Sequence, residues 1–272
     1  MQSRHFGLNL SGAATHAVST GTAARVAFFS LASDSGCQIA ISNDPALTDY
    51  LSLFDLVYWN LLSSAPCPAD YDVAVVEGAV CSPEHVELLK RIRAQASIVI
   101  ALGTCAVTGG VCGLVGTRGA EGLAEVYGQA PDSAAGFLAP RPVISVIDVD
   151  FRIPGCPVES AEFVSVMQRA LLGSQPKRNV PTLCGSCKAS ENVCFYERGR
   201  ICLGLVTRSG CGAHCVTEGH PCIGCRGIAR NAQLDSAREI VARTGLDVAA
   251  FDAKLELFNH HTLHGTGEEA DA

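Results

Sequence analysis

Fourteen of the 272 residues are cysteine, and eight of these fall in one short stretch. Cys184, Cys187, Cys194, Cys202, Cys211, Cys215, Cys222 and Cys225 are spaced C-x2-C-x6-C-x7-C-x8-C-x3-C-x6-C-x2-C. Thiolate is the soft ligand that zinc and iron–sulfur clusters prefer, and each such site takes about four of them. Eight therefore read as two metal sites side by side. If the metal is iron, the segment moves electrons. If it is zinc, two four-thiolate sites hold a structural or interaction module together.

Three more cysteines occupy related places. Cys37 lies in SDSGCQ, Cys105 in LGTCAVTGG and Cys156 in PGCPVE, each shortly after an apolar run. If those runs are parallel strands, the loops at their carboxyl ends converge on one crevice. Three thiols distant in sequence then meet at one metal site, with glycine or proline beside each to let the backbone turn. Cys67, Cys81 and Cys112 lack such a setting and read as structural. Glu77, in VVEGAV, is an acid at the end of a buried run and is a candidate to position the loops around that site. His214 and His220 add nothing that eight thiols do not supply. The His260-His261-x-x-His264 cluster has the residue type to bind metal, but reads first as part of a solvated tail.

The elements that must carry these residues show in the apolar pattern. Runs at 25–31, 55–59, 72–77, 97–102 and 143–149 are short and rich in Val, Ile or aromatics, as buried parallel strands are. A helix is expected after Ser82-Pro83, through Val86, Leu89 and Ile92. Another follows Pro157, with Phe163, Val164, Met167, Ala170 and Leu171 at helical spacing and a stop at Gly173. Strand–helix alternation argues an α/β fold with a doubly wound parallel sheet. Four segments are expected: a leader at 1–24, the sheet domain at 25–175, a cysteine-bearing domain at 176–258 held by metal rather than by an apolar core, and a loose tail at 259–272. Residues 232–258 read as helical.

Composition removes several function classes. The chain is 48% hydrophobic with a formal net charge of −7, and has no basic or aromatic stripe, so nucleic acid is not an expected partner. No run of 18 apolar residues exists, so no membrane span is expected. A secretory signal is not evident, and grouped cysteines in a reducing cytoplasm mean metal or redox chemistry. There is no G-x-G-x-x-G and no Walker-type loop, so nucleotide binding is not expected here.

SDSGCQ, VVEGAV, GTCAVTGG, PGCPVE, the C-x2-C at Cys184, CFYERGRICLG and GHPCIGC, in this order from about Arg25 to Gly227, resemble the small, electron-transfer subunit of NiFe hydrogenases. The likeness is strongest to the cytoplasmic, cofactor-coupled enzymes and the sulfhydrogenase delta subunits. It implies a flavodoxin-like domain followed by an irregular iron–sulfur cluster domain. It implies three 4Fe-4S clusters: proximal on Cys37, Cys105 and Cys156, distal on Cys184, Cys187, Cys194 and Cys202, and medial on Cys211, Cys215, Cys222 and Cys225. It also places the NiFe centre on a partner large subunit, with a diaphorase, reductase or other acceptor subunit beyond the distal cluster.

Two departures matter. Many relatives have histidine where this chain has Cys184. The first motif is usually C-x2-C, and here Asp34 stands at the first cysteine's place, so Asp34 is the expected fourth proximal ligand unless it merely caps its loop. A carboxylate is a harder, weaker partner for iron than a thiolate. Three rival expectations stay open: a complex-I-like cluster subunit without hydrogen chemistry, the zinc-held module, and a hydrogen sensor built from the same parts.

Overall fold

The computed structural model describes residues 23–45, 47–115, 138–175 and 180–265, with residues 122, 124, 125 and 128 between the second and third stretches. The expected leader therefore lies almost entirely outside the described residues, as do residues 176–179 at the expected start of the cysteine-bearing domain. A five-stranded parallel sheet forms the centre, in the order β2-β1-β3-β4-β5. The strands are β1 (Arg25–Ser30), β2 (Asp55–Trp59), β3 (Val73–Glu77), β4 (Ile98–Leu102) and β5 (Phe151–Ile153). This is the flavodoxin-like doubly wound order, whose binding crevice lies at the carboxyl ends of the strands. β3 and β4 are buried along their full length, as central strands of a two-sided sheet must be.

One face of the sheet packs around Val26, Phe28, Val75, Ile100 and Phe163, the other around Ala27, Val76, Leu89, Ile92 and Val99. The alternation of neighbouring residues between two cores is the period of two along a strand. The helices on this sheet are α1 (Gly36–Ser42), α2 (Leu47–Leu51), α3 (Pro83–Gln95), α4 (Gly103–Thr108) and α5 (Ser160–Leu171). α3 starts as its sequence predicts, with the Ser82 side chain accepting from the His85 N–H and Pro83 in the first turn. α5 buries Phe163, Met167 and Ala170, and the chain leaves it through Gly173 at φ +65°.

The apolar run at 143–149 is not a strand. Val143–Ser145 is a 3-10 turn, and the fifth strand begins later, at Phe151. Pro142 accepts from both the Ser145 N–H and the Ser145 hydroxyl, which closes the turn. Val143 and Ile147 are buried against the helical layer instead. Sheet pairing starts only where the Asp150 N–H donates to the Val99 carbonyl and the Asp150 carboxylate accepts the Val99 N–H at 2.7 Å. An apolar run reports burial, and here the burial is beside the sheet rather than in it.

The remaining helices are α6 (Leu183–Ala189), α7 (His214–Thr217), α8 (Leu234–Arg243) and α9 (Val248–His264). Two expectations fail in this region. The cysteine segment does have an apolar core: Leu183, Phe195, Leu203, Val206, Val216, Val241, Phe251 and Leu255 bury one another. The tail does not begin at residue 259, because α9 continues to His264. Phe258 and Asn259 are buried, and the Thr108 hydroxyl donates to the Phe258 carbonyl at 2.7 Å. α9 thus packs back on α4 and the Val111–Leu114 turn, while Glu256 supports its exposed face by accepting from His260 and His264. The helical stretch expected at 232–258 is broken by a turn at Gly245, φ +74°.

Candidate metal centres

β1, β4 and β5 each end in a loop that delivers a cysteine, and β3 ends in Glu77. α1 starts after Ser35, which adopts a left-handed conformation, and puts Cys37 at its first turn. β4 turns directly into α4 at Gly103, φ +82°, placing Cys105 in the first turn of that helix. The loop after β5 carries Cys156. A Cβ at Gly103 would lie 2.5 Å from Cys37 Sγ, and one at Gly110 would lie 2.9 Å from Cys105 Sγ. Both glycines are therefore required for the thiols to come this close to the backbone. Cys37 Sγ lies 3.8 Å from the Gly155 carbonyl, whose neighbour is Cys156. The structure brings Cys37, Cys105 and Cys156 together. Burial or a hydrogen bond is the larger cause of the raised pKa of each, and charge repulsion within the group adds to it.

Asp34 stands at the edge of the same group, close enough to Cys156 to act on it electrostatically. It is exposed, and its Oδ1 accepts the Gly36 N–H at 2.9 Å. Glu77 is 2% exposed, and its Oε1 accepts the Cys37 N–H at 3.0 Å. Burial pushes the Glu77 carboxyl up, and its hydrogen bonds with Cys37 and Gln38 only partly oppose this. Glu77 thereby fixes the start of α1 and the position of the Cys37 thiol.

Cys112 is the residue that sequence reasoning left out of this group. It sits in the Val111–Leu114 turn beside Cys105, and the interaction of the two thiols lowers the Cys112 pKa and raises that of Cys105. It is also near enough to Asp34 and Cys156 to interact with both. The Gly109-Gly110 pair, which reverses the chain here, was the available signal. Cys81 lies 3.7 Å from His85 Nδ1, and Cys67 is exposed.

The second group is Cys184 and Cys187 on α6, Cys194 before the Phe195–Arg198 turn, and Cys202 before the Leu203–Leu205 turn. All four line one cavity of about 40 Å³, with Leu183, Phe195 and Gly204. A Cβ at Gly204 would lie 3.6 Å from both Cys184 Sγ and Cys202 Sγ. Burial, then the charges of Cys202, Cys187 and Cys194, push the Cys184 thiol up to about 11.

The third group is Cys211, Cys215, Cys222 and Cys225. Burial pushes Cys222 up to about 12 and Cys225 up to about 11, and Cys225 also feels Cys211 and Cys215. Thiols crowded in this way repel one another as thiolates unless a cation sits among them. Four-thiol sets are the donor chemistry of both zinc and iron–sulfur clusters, but no three of these thiols lie within 4.8 Å of one another, wider than the thiolates around a single zinc ion.

The groups are joined in a row. The Cys156 backbone lies against the Cys225 thiol, linking the first group to the third. The Cys222 N–H donates to Cys202 Sγ at 3.3 Å, linking the third to the second. Thr104, next to Cys105, donates its hydroxyl to the Cys225 carbonyl and accepts the Gly155 N–H at 3.1 Å. Arg226 clamps the same seam: 2% exposed, it reaches Glu162 at 2.7 Å, the Ser209 carbonyl at 3.0 Å and the Pro154 carbonyl.

A flavodoxin-like sheet with thiols at its carboxyl edge, followed by a cysteine-rich unit, defines a redox subunit architecture, and comparison with known proteins gives the class. Residues 35–170 match the family described as NADH ubiquinone oxidoreductase, 20 Kd subunit. The chain is 34% identical to sulfhydrogenase 2 subunit delta of Pyrococcus furiosus over 72% of its own length and 82% of that protein. It is 31% identical to a subunit of the F420-non-reducing hydrogenase vhu of Methanococcus voltae, over 88% of its own length and 95% of that protein. Among solved structures, a NAD+-reducing NiFe hydrogenase in the H2-reduced state superposes with a TM-score of 0.50 at 27% identity, over 57% of this chain and 94% of that one. The chain belongs to this oxidoreductase family and, within it, to the small subunits of NiFe hydrogenases of the sulfhydrogenase delta type. Among the described residues, no helix is long and apolar enough to cross a membrane.

Proposed function

We propose that this chain is the electron-relaying subunit of a NiFe hydrogenase complex, with the dihydrogen-splitting centre on a large subunit and an acceptor subunit at the other end. Three iron–sulfur clusters in a row would be held by Asp34, Cys37, Cys105 and Cys156 (proximal), by Cys211, Cys215, Cys222 and Cys225 (medial), and by Cys184, Cys187, Cys194 and Cys202 (distal). A bound cluster supplies a one-electron store. The observation that carries this reading is the order of the groups: Cys156 touches the third group, and Cys222 touches the second. A chain that only needed metal for folding has no reason to line its sites up.

The chain's own residues set what such clusters experience. The Cys222 N–H donates to Cys202 at 3.3 Å, and the backbones of Gly204, Gly224, Cys156 and Val158 lie against the thiols of Cys202, Cys222, Cys225 and Cys37 respectively and favour their thiolates. Hydrogen bonds to sulfur and the degree of burial are the levers by which a protein tunes cluster potential. The proximal group is open at Asp34 and Cys156, both exposed. Ile39 and Val111, 44% and 45% exposed, flank Cys37 and Cys112. Apolar side chains beside an open redox site suit a face that a large subunit covers.

The family model also describes a subunit of NADH ubiquinone oxidoreductase, but it stops at residue 170, before the eight-cysteine segment. The hydrogenase relatives match over most of the chain, which favours hydrogen chemistry. The test is metal and sulfide content of the complex purified without oxygen, with dye reduction under dihydrogen. Roughly twelve irons with matching sulfide and dihydrogen-dependent dye reduction support the reading. About two zincs and no iron leave a zinc-held module. Iron without dihydrogen turnover in the complete complex sinks the hydrogenase assignment.

A further inference from the structure

In the sequence His260, His261 and His264 stand together, but α9 separates them. Residues four apart on a helix lie one above another, so Glu256, His260 and His264 form a column on one face. His261 is one step round, beside the end of α4, where a Cβ at Gly109 would lie 3.6 Å from that of His261. Glu256 Oε1 is 3.0 Å from His260 Nδ1 and 2.8 Å from His264 Nε2. The two imidazole rings lie 4.7 Å apart between centroids. Among the described residues, these are the one set of three histidine, cysteine or carboxylate donors whose ligand atoms all lie within 4.8 Å of one another. Glu256 and His260 are half-buried and His264 is 57% exposed, so the donors are held by the helix and open to solvent at its end.

We propose that Glu256, His260 and His264 bind one divalent transition-metal ion of the zinc class. Two imidazole nitrogens and one carboxylate oxygen are a donor set that such an ion accepts, at about 2.0–2.2 Å from each. Donors at those distances in a tetrahedron stand about 3.3 Å apart. The two nitrogen–oxygen separations therefore open by only about half an ångström or less to admit the ion. Three metal–ligand bonds replace the two hydrogen bonds. The protons on the two ligating nitrogens pass to solvent or to the far nitrogen of each ring, and no electron is transferred. Three protein donors leave a fourth position for water. The ion ties residues 256 and 264 together across two turns of helix. This is the stretch in which Phe258 and Asn259 are buried and the Phe258 carbonyl takes the Thr108 hydroxyl. The site is a staple on the end of α9, and it uses none of the cysteines.

The test uses the full-length chain, purified without oxygen with the metals and partners it carries. It is compared with His264→Gln, Glu256→Gln and the triple variant Glu256→Gln/His260→Gln/His264→Gln. Each is titrated with Zn2+, and zinc content at saturation, zinc K-edge X-ray absorption and hydrogen exchange of residues 256–264 are measured. The wild type is expected to hold one zinc more than the triple variant, with nitrogen and oxygen neighbours at about 2.0–2.2 Å. Exchange in those residues should slow when zinc is added. Each single variant should weaken this zinc by more than the roughly tenfold that loss of an outer partner costs. Iron content equal to that of the wild type is the check on folding. His264 is exposed, so His264→Gln carries the test where the triple variant fails to fold. Equal zinc in the wild type and the triple variant overturns the site. So does an extra zinc with sulfur neighbours at about 2.3 Å, which assigns it to the cysteines, and so does undiminished affinity in either single variant.

Discussion

Gly103 shows how closely the backbone is fitted to the proximal thiols. Its φ of +82° disfavours any side chain, and the added carbon of alanine would meet Cys37 Sγ at 2.5 Å. Gly103→Ala is expected to cost about 1–2 kcal/mol from the backbone alone and to push the Cys37 thiol out of place. The proximal irons should go while the medial and distal signals persist, as metal analysis and EPR of the variant would read. An unchanged proximal signal would mean that Cys37 has room to give way. Thr104, its neighbour, is 1% exposed and holds three loops at once. Thr104→Val keeps the shape but leaves the Gly155 N–H and the Cys225 carbonyl without this partner. A loss of about 1–3 kcal/mol is expected, seen as a lower thermal midpoint of the complex. These two residues were legible as loop formers, but their contacts were not, because each depends on a partner more than fifty positions away.

Arg226 and α9 show how the cysteine segment is fastened to the sheet. Arg226 is almost fully buried and joins Pro154, Glu162 and Ser209. Arg226→Leu fills much of the same volume but leaves Glu162 without its cation. Removing one partner of a buried pair costs about 3–5 kcal/mol, and the lower end is expected because Glu162 keeps 24% exposure. Arg226→Lys should recover part of it. Denaturation of the complex, followed at both the sheet and the cysteine segment, would measure this. α9 is the element that sequence patterning cut short. Its last turn reads as polar, with His260, His261 and His264, yet Asn259 is fully buried and Phe258 nearly so. Truncation after residue 258 is therefore expected to raise hydrogen exchange in residues 103–114. A true loose tail would leave that region unchanged. The strands at 25–31, 55–59, 72–77 and 97–102 were readable to within a residue because a parallel strand buried on both faces is a near-continuous apolar run. The run at 143–149 shares that pattern without the pairing, which is set by Asp150, a residue with no apolar signal.

The gathering of Cys37, Cys105 and Cys156 was legible because the fold dictates where post-strand loops meet. Cys112 was not, because it reaches the same place through a local reversal rather than through the sheet. Taken together, the two sheet cores and the third core of the cysteine segment give the chain folding units of unequal dependence on metal. Removal of iron with a chelator under reducing conditions should raise hydrogen exchange first in residues 183–230. β1, β3 and β4 should stay protected, since their cores contain few of the ligands. Loss of protection across the sheet at the same iron content would mean that the two parts unfold as one.

The thiols of the second and third groups lie within one stretch of chain and close short loops. Cys37 and Gly155, by contrast, meet across 118 positions, and only a finished sheet brings them together. The three sites therefore mature under different rules. On the proposed reading, the distal and medial sites would need only their own segment and the two helices after it that complete its core. The proximal site opens for loading only after long-range folding is complete. On the proposed reading, the proximal site would fill only in a copy of the chain whose sheet has closed, so its occupancy would report on long-range folding in a way that the other two sites do not.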